Sequence, residues 1–172
     1  MPQNNRKHES LSKQVSVPHD EGFKVEKDLM IKSSPEELYR FWRNFENLPR
    51  FMEHLKSVTV LDSLHSHWVV KGPLGRDVEW DAEIINEVPY ELIGWRSLEG
   101  ADVPNAGSVH FKSQPGSEVS EVRVILKYAP PAGVLGALVA AIFGENPDQQ
   151  LEDDLSRFKE VMETGMVTSS KR

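Results

Sequence analysis

A few residues in this sequence have the types and spacing to support chemistry. His65 and His67 stand two apart at the start of an apparent strand, so both imidazoles lie on one side, where they could grip a metal. A zinc site needs at least three protein ligands, and no third is evident nearby, so the pair reads as two solvated histidines and no metal site is assigned. Asp77, Glu79, Asp81 and Glu83 alternate along one stretch. Paired carboxylates serve as general acid and base, but carboxylates along one exposed strand face are screened and need no special pKa. Arg96 follows Trp95, so on a regular strand it points to the solvated face and pairs with the acidic row of a neighbour. A bulge at Gly94 would instead turn Arg96 inward, to hold a carboxylate or phenolate. His110 lies between Val109 and Phe111 and needs the same reversal to act as a base. Removing a proton beside a carbonyl and expelling a hydroxyl would require a base and an acid, both in a water-poor cavity. Tyr128 and Ser97 are the best inward-facing polar residues, and neither is a strong base. Arg96, His110 and Tyr128 therefore stand as the catalytic candidates, and the count favours binding over catalysis.

The elements that position these residues follow from periodicity. Phe23, Val25, Leu29 and Ile31 share one parity, the period of a half-buried strand. Ser34, Pro35 and Glu37 form a helix start, with a cap, a proline at the first position and a capping box. Leu38, Phe41, Trp42 and Phe45 then share one helical face until Pro49, and Arg50 to Leu55 supplies a further short turn of helix. From Ser57 to about Ala129 six strands follow (SVTVLDS, HWVVKG, DVEWDAEIINEV, ELIGWRSLE, GSVHFKSQ and SEVRVILKYA), punctuated by glycine and proline turns. Val78, Trp80, Ala82 and Ile84 alternate with the acidic row, the pattern of an antiparallel sheet with one dry face. Asn146 and Pro147 start a long helix carrying Leu151, Leu155, Phe158 and Met162, with Gly165 placed to end it.

Composition narrows the class. Residues 1–22 are polar and aperiodic and read as a disordered tail; of the 172 residues, setting them aside leaves 150, the common size of one domain. Residues 23–166 form that domain and 167–172 a short polar tail. The absence of cysteine excludes disulfides, thiol catalysis and cysteine-ligated metals. Twenty basic against 27 acidic residues give a formal charge of −7, which argues against a nucleic-acid partner. The most apolar run, Val134 to Phe143, is ten residues long where a spanning helix needs about 20. No transmembrane segment is expected, transient membrane contact is left open, and the N-terminus lacks the apolar stretch of a secretory signal. A cytoplasmic location is the expectation, and no cofactor is implied.

A seven-stranded sheet with one apolar face has to cover it, and only the helix from about Pro147 to Gly165 is long enough. A sheet curved around one helix leaves a gap that side chains alone fill poorly, which is where small ligands bind. The order of elements, with ELIGWRSLEGADVPNAGSVHFK, VRVILKYAPPAGVLGALVAAIFGENP and DDLSRFKEVMETG, resembles the SRPBCC superfamily of START-like, helix-grip domains. Within it the chain is most similar to the bacterial branch labelled polyketide cyclase/dehydrase or lipid-transport proteins. The likeness spans about residues 23 to 166, and Trp95-Arg96-Ser97, Gly107 to Phe111, Tyr128 to Gly133 and Asp154 to Gly165 carry it. It implies a deep hydrophobic cavity between sheet and terminal helix, and it does not imply one activity.

The expected fold is α+β and helix-grip: a seven-stranded curved antiparallel sheet wrapped around a long C-terminal helix, with two short helices after the first strand. The expected partner is a hydrophobic small molecule of lipid, isoprenoid or polyketide-like character. Trp42, Phe51, Trp80, Trp95, Phe111, Leu138, Leu155 and Phe158 are the candidate lining residues. Ordinary core is the competing reading for the tryptophans, and the two differ only in whether the gap is filled. One alternative is a cyclase, aromatase or dehydratase in the same cavity; another is an interaction module using the outer acidic face. Residues 134–143 are read either as a packed helix or as a flap over the cavity mouth.

Overall fold

Val78, Trp80 and Ala82 are buried while Glu79 and Asp81 are exposed. This two-residue period organises the whole sheet in the computed structural model, which describes residues 23–72, 75–129 and 146–165. The strands are β1 (Phe23–Ile31), β2 (Leu55–Val60), β3 (His65–Val70), β4 (Val78–Val88), β5 (Leu92–Ser97), β6 (Asn105–Ser113) and β7 (Ser120–Tyr128). They pair in the order β1-β7-β6-β5-β4-β3-β2, every pair antiparallel. The chain therefore leaves β1, crosses to the far edge and meanders back until β7 closes against β1.

The crossing is made by two short helices. In α1 (Pro35–Arg43) Ser34 caps the start, its Oγ accepting the Glu37 N–H at 3.2 Å. The helix stops at Arg43 rather than at Phe45, because Asn44 leaves helical geometry and its side chain accepts the Glu46 N–H at 3.3 Å. A 3-10 helix then covers Phe45–Arg50. Pro49 lies inside it and has no N–H to offer the carbonyl four residues back, so an α-helix could not run through this segment without a break. Phe45 thus belongs to the second short helix, and Arg50 to Leu55, expected as a turn of helix, leads instead into β2.

The long helix α2 (Pro147–Thr164) starts at Asn146, whose Oδ1 accepts the Gln149 N–H at 3.2 Å. It ends at Gly165, with φ +69° and its N–H donating to the Val161 carbonyl at 2.8 Å. It lies along β1, held by Lys32 N–H to Glu163 Oε1 and by Lys159 Nζ to the Met30 carbonyl, each at 2.8 Å. An aromatic cluster joins the helices: the Phe158 ring lies 4.8 Å from Phe51 and 5.2 Å from Trp42 between centroids. These rings are buried, and they form the core that fixes α2 against the sheet.

The register of β4 against β5 slips between Ile84 and Asn86. The extra residue, Ile85, is exposed, and beyond it the inward parity changes. Before the slip Glu83 faces outward opposite Arg96; after it Glu87 pairs with the buried Ile93 and turns toward α1. There Glu87 Oε2 accepts from Tyr39 OH at 2.7 Å and from Arg43 Nε. The bulge lies opposite Gly94, and the side chain that it re-aims is Glu87, not Arg96. Residues 134–143, including Leu138, and the segments 1–22 and 166–172 lie outside the described residues.

Candidate functional site

Three tryptophans on three successive strands form one wall of the interior. Trp68 on β3 sits opposite Trp80 on β4, their rings stacked at 5.9 Å between centroids and 21° between planes. Trp95 on β5 stacks on Trp68 at 6.1 Å and 20°, although β4 runs between the two strands. The sequence allows this reach because Ser66, Ala82 and Ser97, one from each strand, are in register and buried. That row of small side chains leaves height above the sheet for two indoles to meet. Ser66 Oγ also accepts the Trp68 indole N–H at 2.8 Å, and Ser97 Oγ accepts the Asn105 N–H at 2.9 Å. Trp95 in turn lies over Gly107, its register partner on β6.

Between this wall and α2 is a cavity of about 80 Å³, within a concavity of about 770 Å³ when space open to solvent is counted. Trp68, Trp80 and Trp95 line it from the sheet, Val25 and Leu126 from β1 and β7, Met52 and Leu55 from the segment entering β2, and Pro147 and Leu151 from α2. Its polar members are His54, Asn105, Lys127, Gln150 and Asp154. Asp154 is buried on the inward face of α2. Its Oδ1 accepts from the Glu53 N–H at 3.3 Å, from Gln150 Nε2 at 2.9 Å and from Arg157 Nη2. Arg157 Nε also donates to the Phe51 carbonyl at 3.0 Å, so this cluster ties α2 to the turn before β2. Burial pushes the Asp154 carboxyl above the ordinary carboxylate range, against the opposing pull of Arg157 and the hydrogen bonds. Among the described residues, the buried Nε2 of His54 and Nε1 of Trp80 have no hydrogen-bond partner.

Of the lining residues expected from sequence, Trp80 and Trp95 border this cavity, while Trp42, Phe51, Phe111, Leu155 and Phe158 are packed in the core beside it. Leu138 lies outside the described residues. Of the catalytic candidates, Arg96 faces outward, with Nη2 2.7 Å and Nε 2.8 Å from Glu83 Oε1. His110 sits on β6, its Nε2 3.3 Å from Ser108 Oγ. Tyr128 is buried and stacks on Phe23 at 5.7 Å; burial, with a smaller contribution from the charge of Asp148, pushes its hydroxyl well above the ordinary tyrosine value. None of the three is among the described residues that border the cavity.

The histidine pair engages the acidic residues around it. His65 Nδ1 lies 2.9 Å from Asp62, and His67 Nδ1 lies 2.7 Å from Asp81. Among the described residues no cluster of His, Asp and Glu is placed to hold a metal ion. Asp77 pairs with Lys56 at 2.9 Å. His54, Gln150 and Asp154 border the cavity and are not among the site residues expected from the sequence. Asp154 had a signal, since it stands three residues beyond Leu151, on the stripe where an apolar side chain belongs.

Comparison with known proteins agrees with this architecture. A protein of Deinococcus radiodurans with a crystal structure is 41% identical, with a TM-score of 0.69, over 84% of this chain and 99% of that one. A START superfamily protein from Mycobacterium smegmatis shares the fold at 17% identity and a TM-score of 0.63, covering 80% of this chain and 97% of its own. The ginseng major latex-like protein 151 from Panax ginseng shares it at 13% identity and a TM-score of 0.57, over 82% and 97%. An uncharacterised 17.2 kDa protein of Streptomyces lincolnensis is 27% identical over 143 residues, 81% of this chain and 89% of that protein. Residues 31–156, running from the end of β1 into α2 and taking in the cavity-lining residues named above other than Val25, match the family described as polyketide cyclase / dehydrase and lipid transport, and to that family the chain belongs.

Proposed function

We propose that this protein binds a hydrophobic small molecule, of lipid, isoprenoid or polyketide-like character, in the cavity between the concave sheet face and α2. The observation that carries this reading is the stacked wall of Trp68, Trp80 and Trp95 facing Leu151 across space that the side chains of the described residues do not fill. Apolar surface removed from water there contributes roughly 25 cal/mol per Å², less the cost of ordering the ligand and the wall. The inner space of about 80 Å³ is smaller than the roughly 150 Å³ in which an engineered cavity holds benzene. A ring edge or chain end therefore enters it, and the rest of the ligand occupies the wider concavity.

Binding is favoured over cyclisation or dehydration because Arg96, His110 and Tyr128 do not border the cavity among the described residues. It is favoured over recognition through the outer acidic face because Asp77, Asp81 and Glu83 already pair with Lys56, His67 and Arg96. The test is native mass spectrometry of the protein purified from its own host, followed by organic extraction. A bound lipid, isoprenoid or aromatic mass is expected. A clean protein mass, with no shift on adding palmitate, a short-chain quinone or toluene, would contradict the reading.

A further inference from the structure

We propose that Asn105 sets the ligand specificity of this cavity, its side-chain oxygen accepting a hydrogen bond from a neutral hydroxyl or N–H group on an otherwise apolar molecule. The proposal rests on the cavity being the ligand site and adds which polar group the ligand carries and which residue reads it. Asn105 opens β6 and borders the cavity. It shares the parity of Gly107, Val109 and Phe111, so its side chain lies on the concave face, beside the Trp95 indole that covers Gly107. The residue is 9% exposed. Its backbone N–H donates to Ser97 Oγ and its Nδ2 to the Val103 carbonyl, each at 2.9 Å. Its Oδ1 accepts no hydrogen bond among the described residues, and it is not sealed from access as Trp80 Nε1 and His54 Nε2 are.

An unpaired amide oxygen on so buried a residue loses water without replacement, and a donor on the ligand recovers that loss. The polarity of the contact is fixed by Val103. Turning the amide over would set Oδ1 against the Val103 carbonyl, two acceptors with no proton between them, so the residue offers a ligand an acceptor and not a donor. A hydroxyl or an N–H satisfies it. A ketone, ether or ester oxygen has no proton to give, and a carboxylate meets the oxygen with its own charge. An ammonium would carry its charge in among Val25, Trp95, Val103 and Leu126, a cost that one bond to a neutral amide does not offset. Asp154, among the described residues the one carboxylate at the cavity, already pairs with Arg157. Residues two apart on one strand face stand about 7 Å from each other, so the donor lies about one aromatic ring's width from the part of the ligand that meets Trp95 over Gly107.

The experiment titrates the full-length protein with two pairs of isomers, p-cresol with anisole and 3-methylindole with 1-methylindole. Each pair has the same atoms, and only the first member keeps its O–H or N–H. In a cavity without an acceptor the second member binds tighter, because a donor must leave water without compensation. Asn105 reverses that order, and the donor isomer of at least one pair should bind about fivefold tighter, the net worth of one hydrogen bond. The pair with the larger preference tells a hydroxyl ligand from an N–H one. Asn105→Leu nearly keeps the volume and removes the acceptor, so the preference should vanish while the affinity for 1-methylindole, which rests on apolar area, stays within about twofold. Asn105→Ala, which adds no atoms, should behave alike and covers the case of a leucine that disturbs the fold. Donor-free isomers binding as tightly in the native protein, or a preference that survives in either variant, overturns the role of Asn105 and leaves apolar binding intact. Loss of 1-methylindole binding in both variants also overturns it, since Asn105 would then support the fold and not select the ligand. Failure of all four probes to bind the native protein overturns both readings.

Discussion

A Cβ atom on Gly107 would stand 2.4 Å from Cζ2 and 2.6 Å from Cε2 of the Trp95 indole, its register partner across β5 and β6. The ring also packs against Trp68, Trp42 and Phe45, so away from the cavity it has little room to retreat. Gly107→Ala should therefore destabilise the fold by about 1–3 kcal/mol, the usual cost of overpacking a core. Equilibrium urea unfolding followed by tryptophan fluorescence measures this, and the native emission should shift as Trp95 is displaced. An unchanged midpoint would mean that the indole does not lie over this glycine.

Phe158 touches Phe51, Trp42 and Phe41 and is fully buried. Phe158→Ala removes the ring through which α2 meets both α1 and the turn before β2, and the loss should be about 3–5 kcal/mol. The urea midpoint reads it directly. A loss below about 1 kcal/mol would mean that α2 is held mainly by its polar ties.

Arg96 and Glu83 pair on the outer face with side chains 22% and 24% exposed. Arg96→Ala should cost about 1 kcal/mol of stability, near the upper end for a partly exposed ion pair, and leave the affinity for toluene within about twofold. Loss of ligand binding in this variant would place Arg96 in the binding machinery and revive the enzymatic alternative.

Tyr39 donates its hydroxyl to Glu87, and burial together with that hydrogen bond and the Glu87 charge pushes its pKa up to about 12. The folded value lies above the ordinary 10.0, so the fold favours the neutral phenol. That contribution is whole below about pH 10 and is lost as pH rises through about 12. The stability difference between the native protein and Tyr39→Phe should accordingly be constant up to about pH 10 and shrink above it. A difference that persists undiminished at pH 12 contradicts the assignment.

Much of this architecture is legible in the sequence because strand burial repeats every two residues. Val78, Trp80 and Ala82 declare β4, and Asn146 with Gly165 marks the ends of α2. Two features break the local period and escape such a reading. The slip after Ile84 reverses which β4 side chains face inward, so Glu87 looks like a member of the outer row until its pairing with Ile93 is known. The junction at Asn44 splits one apolar helical face between two helices, which spacing alone cannot separate. The cavity is legible only as a geometric necessity. Phe51, Leu155 and Phe158 carry the same apolar signature as the residues that border it, and the difference between filling a gap and facing one depends on contacts between distant elements. Asp154 is the exception, a charge standing in an apolar stripe.

The most direct test of an apolar ligand site between the tryptophan wall and α2 is a ¹H–¹⁵N NMR titration with toluene, read at the four indole N–H resonances. Trp68, Trp80 and Trp95 border the cavity, and Trp42 is buried apart from it. Saturable shifts of the first three indoles, with Trp42 moving least, are the predicted result. Shifts confined to the exposed Leu61, Leu64 and Ile85, or none at all, would contradict it.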